Sequence, residues 1–442
     1  MLLSFRIANH RSIKTEQEFD LRPVYRKDET SIRVAAIYGP NASGKSNILN
    51  GLRFMHDAVT EQNPEWRGTE GVPQHPFMLD AESPDTPSSY AVDLVAEGIK
   101  HSYGFSIDRN RVAEEWLYSY PAGRKQMLFE RTGEKFRFGR AFGSPRVRLL
   151  KELTPDNGLF LSYAARAKIE EPRAVFDWFH QFLWFASDDH TNISHMRRRT
   201  MEMLAAPETS GRIRRLIRAA DFGILDVERE APTFSIEKVD SSELNGATAQ
   251  LFYETGGEIK VRHSGDELPP EVLLRIPSLQ DPNKSVLFEH AGIRKAKFSL
   301  DQESRGTRAW FEAAGYLIGA LENGWTLVID ELDTSLHPVL LAHMVKLFQD
   351  PDTNPRGAQL LFTTHDTSLL GRHGGDELLR RDEIWFMEKN GTGESALFPL
   401  TDFKPRDGLN WERRYLGGAV GAIPYVTSSD MISAVSRGEG DA

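Results

Sequence analysis

"AIYGPNASGKSNIL", residues 36–49, decides the fold. Gly39, Gly44, Lys45 and Ser46 stand in it at the GxxxxGK[ST] spacing of a phosphate-binding loop. Such a loop makes two demands. Its glycines must let successive backbone N–H groups turn toward an anion. It must also run into a helix N-terminus, where free N–H groups and the axial dipole favour negative charge. The flanks predict both. Residues 32–38 are apolar and β-branched and read as a buried strand, and residues 45–59 read as a helix. A plain glycine turn needs no such setting. Lys45 is expected to reach the β- and γ-phosphates, and the Ser46 hydroxyl to ligate Mg²⁺. Asn41 and Asn47, in and just after the loop, are further candidate nucleotide contacts.

Three later stretches bear on what the loop serves. "TLVIDE", 326–331, brings an apolar strand through the core and delivers Asp330 and Glu331 at its C-terminal end. Ligands gather at that edge of an open α/β sheet. Asp330 is expected on Mg²⁺, and Glu331 is expected to orient and deprotonate an attacking water. Alone, two acids merely end a strand; the phosphate loop gives them a task. "ESRGTRAW", 303–310, opens a helix with Ser304, Gly306 and Thr307, a second anion site if it is not simply a capped helix. One chain needs no second cradle in cis, so this one is expected to face a γ-phosphate held by another copy. "LLFTTHDTSLL", 360–370, ends a buried strand at His365, whose neutral ring can exchange hydrogen bonds with a γ-phosphate and its water.

In this order the motifs resemble the ABC-type ATPase head shared by ABC transporters, SMC proteins, RecF and the OLD nucleases. "DELDTSLHP" (330–338), "THD" (364–366), "RRYLGGAVGAIPYV" (413–426) and "FRIANHRSI" (5–13) are similar to the bacterial "AAA family ATPase" group of OLD-like and RloA-like proteins. The resemblance implies an α/β P-loop NTPase, a mixed sheet flanked by helices, with a compact helical and β insertion. It implies ATP and Mg²⁺ as cofactors, with Gly39, Gly44, Lys45 and Ser46 on phosphates and metal. Ser304, Gly306 and Thr307 would form a signature reaching across a dimer. Asp330 and Glu331 would be the magnesium and base pair, Asp333 the dimer-crossing D-loop residue, and His365 the switch. Arg305 stands where a small residue is common in the wider superfamily, and Gln74 is a Q-loop candidate by position alone. Members of the group often act in phage-defence and abortive-infection operons beside an effector, frequently a nuclease. OLD nucleases append a TOPRIM domain; here the chain leaves no room for one after 426, so any nuclease is expected in a separate protein.

Bulk properties agree. The chain has 442 residues, 40% hydrophobic and 27% charged, enough for two or three globular domains. It has no cysteine, no long apolar run and no signal-peptide layout, which predicts a cytoplasmic protein. A net charge of -10 argues against nucleic-acid binding spread over the whole surface. Expected domains are an N-terminal ATPase lobe (1–160), an insertion (161–290), a C-terminal ATPase lobe (291–430) and a disordered tail (431–442). Strands are expected at 2–8, 90–95, 101–107, 115–120, 126–130, 326–330, 359–363 and 383–388. Helical periodicity marks 166–222, through Val175, Trp178, Phe179 and Phe182.

Two features remain. Arg197, Arg198 and Arg199, with Arg212, Arg214, Arg215 and Arg218, form a basic cluster. It reads as a nucleic-acid or partner surface or as a solvated helix face neutralised by Glu202 and Glu228. "SDDH" (187–190) reads as a capping turn rather than a metal site, and Trp178, Phe179, Phe182, Trp184 and Phe185 as core rather than a base-stacking platform. The sequence thus predicts a homo-oligomeric ATPase, switched by ATP and working with a separate defence effector. The alternative is a RecF- or SMC-like DNA-repair or clamp ATPase that holds duplex DNA directly.

Overall fold

The computed structural model describes residues 1–60, 66, 71–140, 142–186, 190–220, 222–229, 234–244, 249–253, 259–264, 285–334, 336–373, 375–404, 410–424, 427 and 431. Residues 187–189 of "SDDH" and nearly all of the expected tail lie outside these. The chain forms two compact units. The larger holds Met1–Phe185, Ala320–Thr334 and Leu341–Ala442; the smaller holds Ala186–Gly319 and Ser335–Leu340.

A six-stranded sheet organises the larger unit, in the order Ser395–Pro399, Ile384–Lys389, Val34–Tyr38, Gln359–Thr363, Thr326–Ile329, Leu183–Ala186. Its middle strands are parallel: Val34–Tyr38 pairs with Ile384–Lys389 on one side and Gln359–Thr363 on the other, and Gln359–Thr363 pairs with Thr326–Ile329. Every residue of Val34–Tyr38, Gln359–Thr363 and Thr326–Ile329 is buried, as continuous apolar runs in a parallel sheet require. Parallel strands end together. The registers Thr363 to Ile37 and Ile329 to Phe362 therefore bring the phosphate loop, Asp330 and His365 out at one edge.

A second, antiparallel sheet of seven strands runs Gln17–Asp20, Leu2–Ala8, Ser88–Ala96, Ile99–Ile107, Val112–Ser119, Gln126–Thr132, Lys135–Phe138. The helix Lys45–Thr60 packs against it: a Cβ on Gly51 would stand 2.1 Å from Ile7 Cδ1, so any larger residue would push that side chain aside. Beneath Phe160–Arg166, Glu115 is fully buried and accepts the Phe160 and Leu161 N–H groups at 2.7 and 3.0 Å. The carboxylate thereby serves the first N–H groups of a helix that lacks its own cap.

Residues 166–185 depart from the helix expected there. A short helix, Arg173–Asp177, loosens into a π-turn, Trp178–Phe182, and then becomes the sheet-edge strand Leu183–Ala186. The extra residue in a π-turn breaks the 3.6 period, and Val175, Trp178, Phe179 and Leu183 all reach the main core. That packing moves the start of the smaller unit to 186, whereas the sequence places an insertion at 161–290. The division of the chain puts Ser304, Gly306 and Thr307 in the smaller unit.

The smaller unit has two three-stranded sheets. One is Ile224–Arg229, Val286–His290, Ala296–Ser299; the other is Phe234–Lys238, Ile259–His263, Ala249–Tyr253. The helices His190–Ala205 and Pro207–Arg218 belong to it, and the signature helix Arg305–Asn323 begins in it. Thr200 and Gly315 meet where two helices touch: the Gly315 N–H donates to Thr200 Oγ1 at 2.9 Å, and a Cβ on Gly315 would stand 2.7 Å from that oxygen.

Candidate active site

The phosphate loop bridges the strand Val34–Tyr38 and the helix Lys45–Thr60, as its sequence predicts. Gly39 has φ +155°, and a Cβ there would lie 2.3 Å from the Met387 carbonyl oxygen. Gly44 has φ +104°, and its Cβ would lie 2.5 Å from Ser395 Oγ. Both positions exclude side chains twice over, by backbone and by neighbour. Asn41 is exposed at the loop tip, followed by Ala42 at φ +62°.

Lys45 is buried, and its Nζ donates to the Gly39 and Pro40 carbonyls at 2.9 and 3.1 Å. Burial pushes this ammonium below its ordinary value, while Asp330, Glu331 and Asp333 pull it back up. One cation thus faces three carboxylates, an excess of negative charge that suits a divalent ion. Ser46 Oγ donates to Asp330 Oδ1 at 3.1 Å. Two hard oxygens side by side suit Mg²⁺, which takes few protein ligands and completes its shell with phosphates and water. Among the described residues no group of three His, Cys, Asp or Glu side chains could hold a metal alone. Ser46 and Asp330 therefore fit a metal brought with a nucleotide.

Thr363 is the residue that sequence reasoning passed over. Fully buried, it donates from Oγ1 to Asp330 Oδ1 at 2.5 Å and accepts the Glu331 N–H at 2.7 Å. One hydroxyl orients both acids. Glu331 is exposed and has φ +52°, a left-handed conformation that costs a non-glycine residue about 1–3 kcal/mol. The strain turns its carboxylate out of the sheet edge. Asp333 accepts the His365 N–H with both oxygens, each at 3.3 Å, and the His365 ring is exposed. In this chain Asp333 holds the His365 turn.

Other expected contacts have partners of their own. Asn47 Nδ2 donates to Ser12 Oγ at 2.7 Å, and Ser395 Oγ donates to the Ser43 carbonyl at 2.6 Å and lies 2.7 Å from Ser12 Oγ. Ser12, in the "HRSI" stretch, thus links the first strand to the loop's underside. Gln74 is half-buried; its amide donates to the Thr86 carbonyl at 2.8 Å and Ser88 Oγ at 3.2 Å. With Arg11, Ser12, His75, Met78, Leu79 and Lys389 it lines a pocket of about 470 Å³.

In the smaller unit, Ser304 is exposed and caps the signature helix: its Oγ accepts the Thr307 N–H at 3.1 Å and lies 2.8 Å from Thr307 Oγ1. Thr307 is buried and Gly306 half-buried. Just before them, Glu303 meets His290 Nε2 at 2.7 Å. Four arginines of the basic cluster have side-chain partners within the chain. Arg197 binds Glu312 at 2.5 Å, Arg198 lies 3.7 Å from Glu202, half-buried Arg199 sits over the Tyr316 ring, and Arg214 binds Asp226 at 3.1 Å. Glu228 pairs with Lys297 rather than with an arginine. Trp178 and Phe179 are core, as expected.

The family described as "AAA domain, putative AbiEii toxin, Type IV TA system" matches residues 34–371. The chain belongs to that family. Similar solved structures include the SMC head domain from Thermotoga maritima, 14% identical over 90% of this chain and 98% of that one, with a TM-score of 0.40. Another is an SmcHead bound to the C-winged helix domain of ScpA, 12% identical over 93% and 99%, TM-score 0.45. A third is the Smc head with an extended coiled coil bound to the C-terminal domain of ScpA derived from Pyrococcus furiosus, 12% identical over 90% and 96%, TM-score 0.35. No curated protein matches significantly. With its parallel sheet and strand-end motifs, this member of the family is an AAA-domain ATPase of the nucleotide-binding P-loop type. Among the described residues no helix is long and apolar enough to cross a membrane.

Proposed function

We propose that the protein is an ATP-hydrolysing, cytoplasmic switch in bacterial anti-phage defence, of the OLD-like and RloA-like kind, which closes on ATP as a homo-oligomer and controls a separate effector. The Ser46, Asp330 and Thr363 hydrogen-bond chain carries the enzymatic part. It sets the Ser46 and Asp330 oxygens side by side at the helix N-terminus, where they would ligate a metal, and exposed Glu331 would take a proton from water at the sheet edge. When bound, Mg²⁺ would neutralise phosphate charge in the transition state. Lys45, released from its loop carbonyls, would bind the β- and γ-phosphates. The pocket beside Ser12, with Arg11 and Lys389 on its wall, offers room for the nucleoside end. Ser304, exposed at a helix start, suits a trans contact to the γ-phosphate of a second copy.

The defence role rests on the family description, which names an AbiEii toxin and a Type IV TA system. The DNA-clamp alternative draws less support, because Arg197 and Arg199 are engaged within the chain. Lys45→Ala should abolish ATP binding, and Glu331→Gln should bind ATP, accumulate as a closed oligomer and hydrolyse little. Calorimetry, sedimentation and phosphate release measure these. Unchanged ATP affinity in the first variant, or native turnover in the second, would sink the assignment. Retention of duplex DNA by the native chain, lost on reversing Arg197, Arg198 and Arg199, would favour the clamp.

A further inference from the structure

The phosphate loop is braced from beneath by two serines that the chemistry described above does not use. Ser12 comes from the tight turn after the first strand, where His10 and Ile13 exchange both backbone hydrogen bonds at 2.8 Å. Ser395 opens the strand Ser395–Pro399, directly after the hairpin turn that leaves Lys389. Backbone clasps the two turns together: the Ser395 N–H donates to the Ser12 carbonyl at 2.7 Å. Farther out, Thr15 Oγ1 donates to Glu394 Oε1 at 2.6 Å. Ser395 is fully buried and Ser12 half-buried.

The hydroxyl protons give this brace a direction. Each serine has a single proton to donate. That of Ser395 goes to the Ser43 carbonyl at 2.6 Å. Ser12 Oγ accepts from Asn47 Nδ2 at 2.7 Å, and its own proton is left for Ser395 Oγ, 2.7 Å away. The chain therefore runs Asn47, Ser12, Ser395, Ser43. Each hydroxyl accepts once and donates once, the arrangement in which hydrogen bonds polarise one another. The chain begins in the first turn of the helix Lys45–Thr60 and ends in the loop. Between its ends lie Gly44, Lys45 and Ser46, the residues expected on phosphate and metal. Gly44 packs straight onto it: a Cβ there would stand 2.5 Å from Ser395 Oγ and 2.8 Å from Ser12 Oγ.

We infer that Ser395 and Ser12 are positioning residues for phosphate binding, acting through the Ser43–Gly44 peptide. The C=O and N–H of a trans peptide point opposite ways, and this peptide is trans. Holding the Ser43 carbonyl toward the serines turns the Gly44 N–H to the other side, where it can meet an anion. A loop held this way in advance does not have to be ordered by its ligand, and affinity rises accordingly. The role rests on nucleotide binding at 39–46.

The test compares the full native chain with Ser395→Ala, Ser12→Ala and Thr15→Ala, by calorimetry with Mg-ATP and by hydrogen exchange without nucleotide. The backbone clasp survives in every variant. Ser395→Ala and Ser12→Ala should each bind Mg-ATP about three- to tenfold more weakly, the worth of one net hydrogen bond. Both should also exchange faster at 47–49 before any nucleotide is added. Thr15→Ala removes only outer contacts and should match the native chain in both measurements. Merely structural serines would lower thermal stability and leave affinity native. Native affinity in either serine variant would therefore overturn the inference, as would equal weakening in Thr15→Ala. If Ser395→Ala does not fold, the half-buried Ser12→Ala carries the same comparison alone. A native chain that binds no Mg-ATP would instead overturn the nucleotide reading, and unchanged exchange at 47–49 would still decide against the brace.

Discussion

Thr363→Val is the most informative single change. Valine keeps the volume and branching of a fully buried strand residue, so the sheet stays packed. What disappears is one oxygen with two duties: the 2.5 Å bond to Asp330 Oδ1 and the 2.7 Å bond from the Glu331 N–H. A hydrogen bond to a charged group is worth about 1.5–3 kcal/mol, and a stranded donor costs about 1–3 kcal/mol. The Asp330 carboxylate then turns freely about its last bond, and Glu331 loses a restraint on its strained backbone. If the first of these losses falls on the transition state, hydrolysis slows by about 10–150-fold at about 1.4 kcal/mol per decade. ATP binding should weaken far less, since Lys45 and the loop glycines are untouched. Thr363→Ser, which restores the oxygen, should recover most of the rate. Single-turnover phosphate release measures the chemistry and calorimetry the binding. A Thr363→Val protein that hydrolyses ATP as fast as the native chain, or a Thr363→Ser protein equally slow, would refute the argument that this hydroxyl orients the acids.

Further expectations concern stability. Arg197 and Glu312 are mostly buried as a pair, with side-chain exposures of 19% and 11%. Arg197→Ala and Glu312→Ala should each cost about 1–3 kcal/mol in denaturant unfolding, and the double variant less than their sum. Strict additivity would mean that the pair is not coupled. Glu383 is buried against Arg380 and Gln349, and burial raises its carboxyl to about 7 from 4.5. The native state therefore binds more protons than the unfolded chain between these values, and stability falls as pH rises through that window, by at most about 3 kcal/mol. Glu383→Gln should flatten this slope. Thermal unfolding between pH 4.5 and 7 measures it, and an unaltered slope would assign the pH dependence to other groups.

The strand–loop–helix around Lys45 was legible because each part has a short-range signature: β-branched run, glycines, helical period. The acidic strand was legible for the same reason, as an apolar run broken by two acids. What escaped was set by long-range pairing. Ser12, Thr363 and Ser395 are ordinary residues locally and acquire meaning only when strands far apart in sequence lie side by side. The edge strand Leu183–Ala186 was hidden because its aromatics continue the helical spacing of Trp178 and Phe179 until the π-turn shifts the phase. The basic cluster left two readings open in the sequence. Arginines adjacent in sequence fit a binding surface or a neutralised helix face, and Glu312 and Tyr316, more than a hundred positions later, engage two of them.

The left-handed backbone at Glu331 has a consequence for how this protein can drift. The aim of that carboxylate is set by a conformation that almost any L residue dislikes and glycine does not. A Glu331→Gly protein would shed the strain along with the carboxylate proposed as base. Inactive descendants of such an ATPase can thus be hardier than their parents, and a screen for heat tolerance alone would select against the very residue proposed to drive turnover.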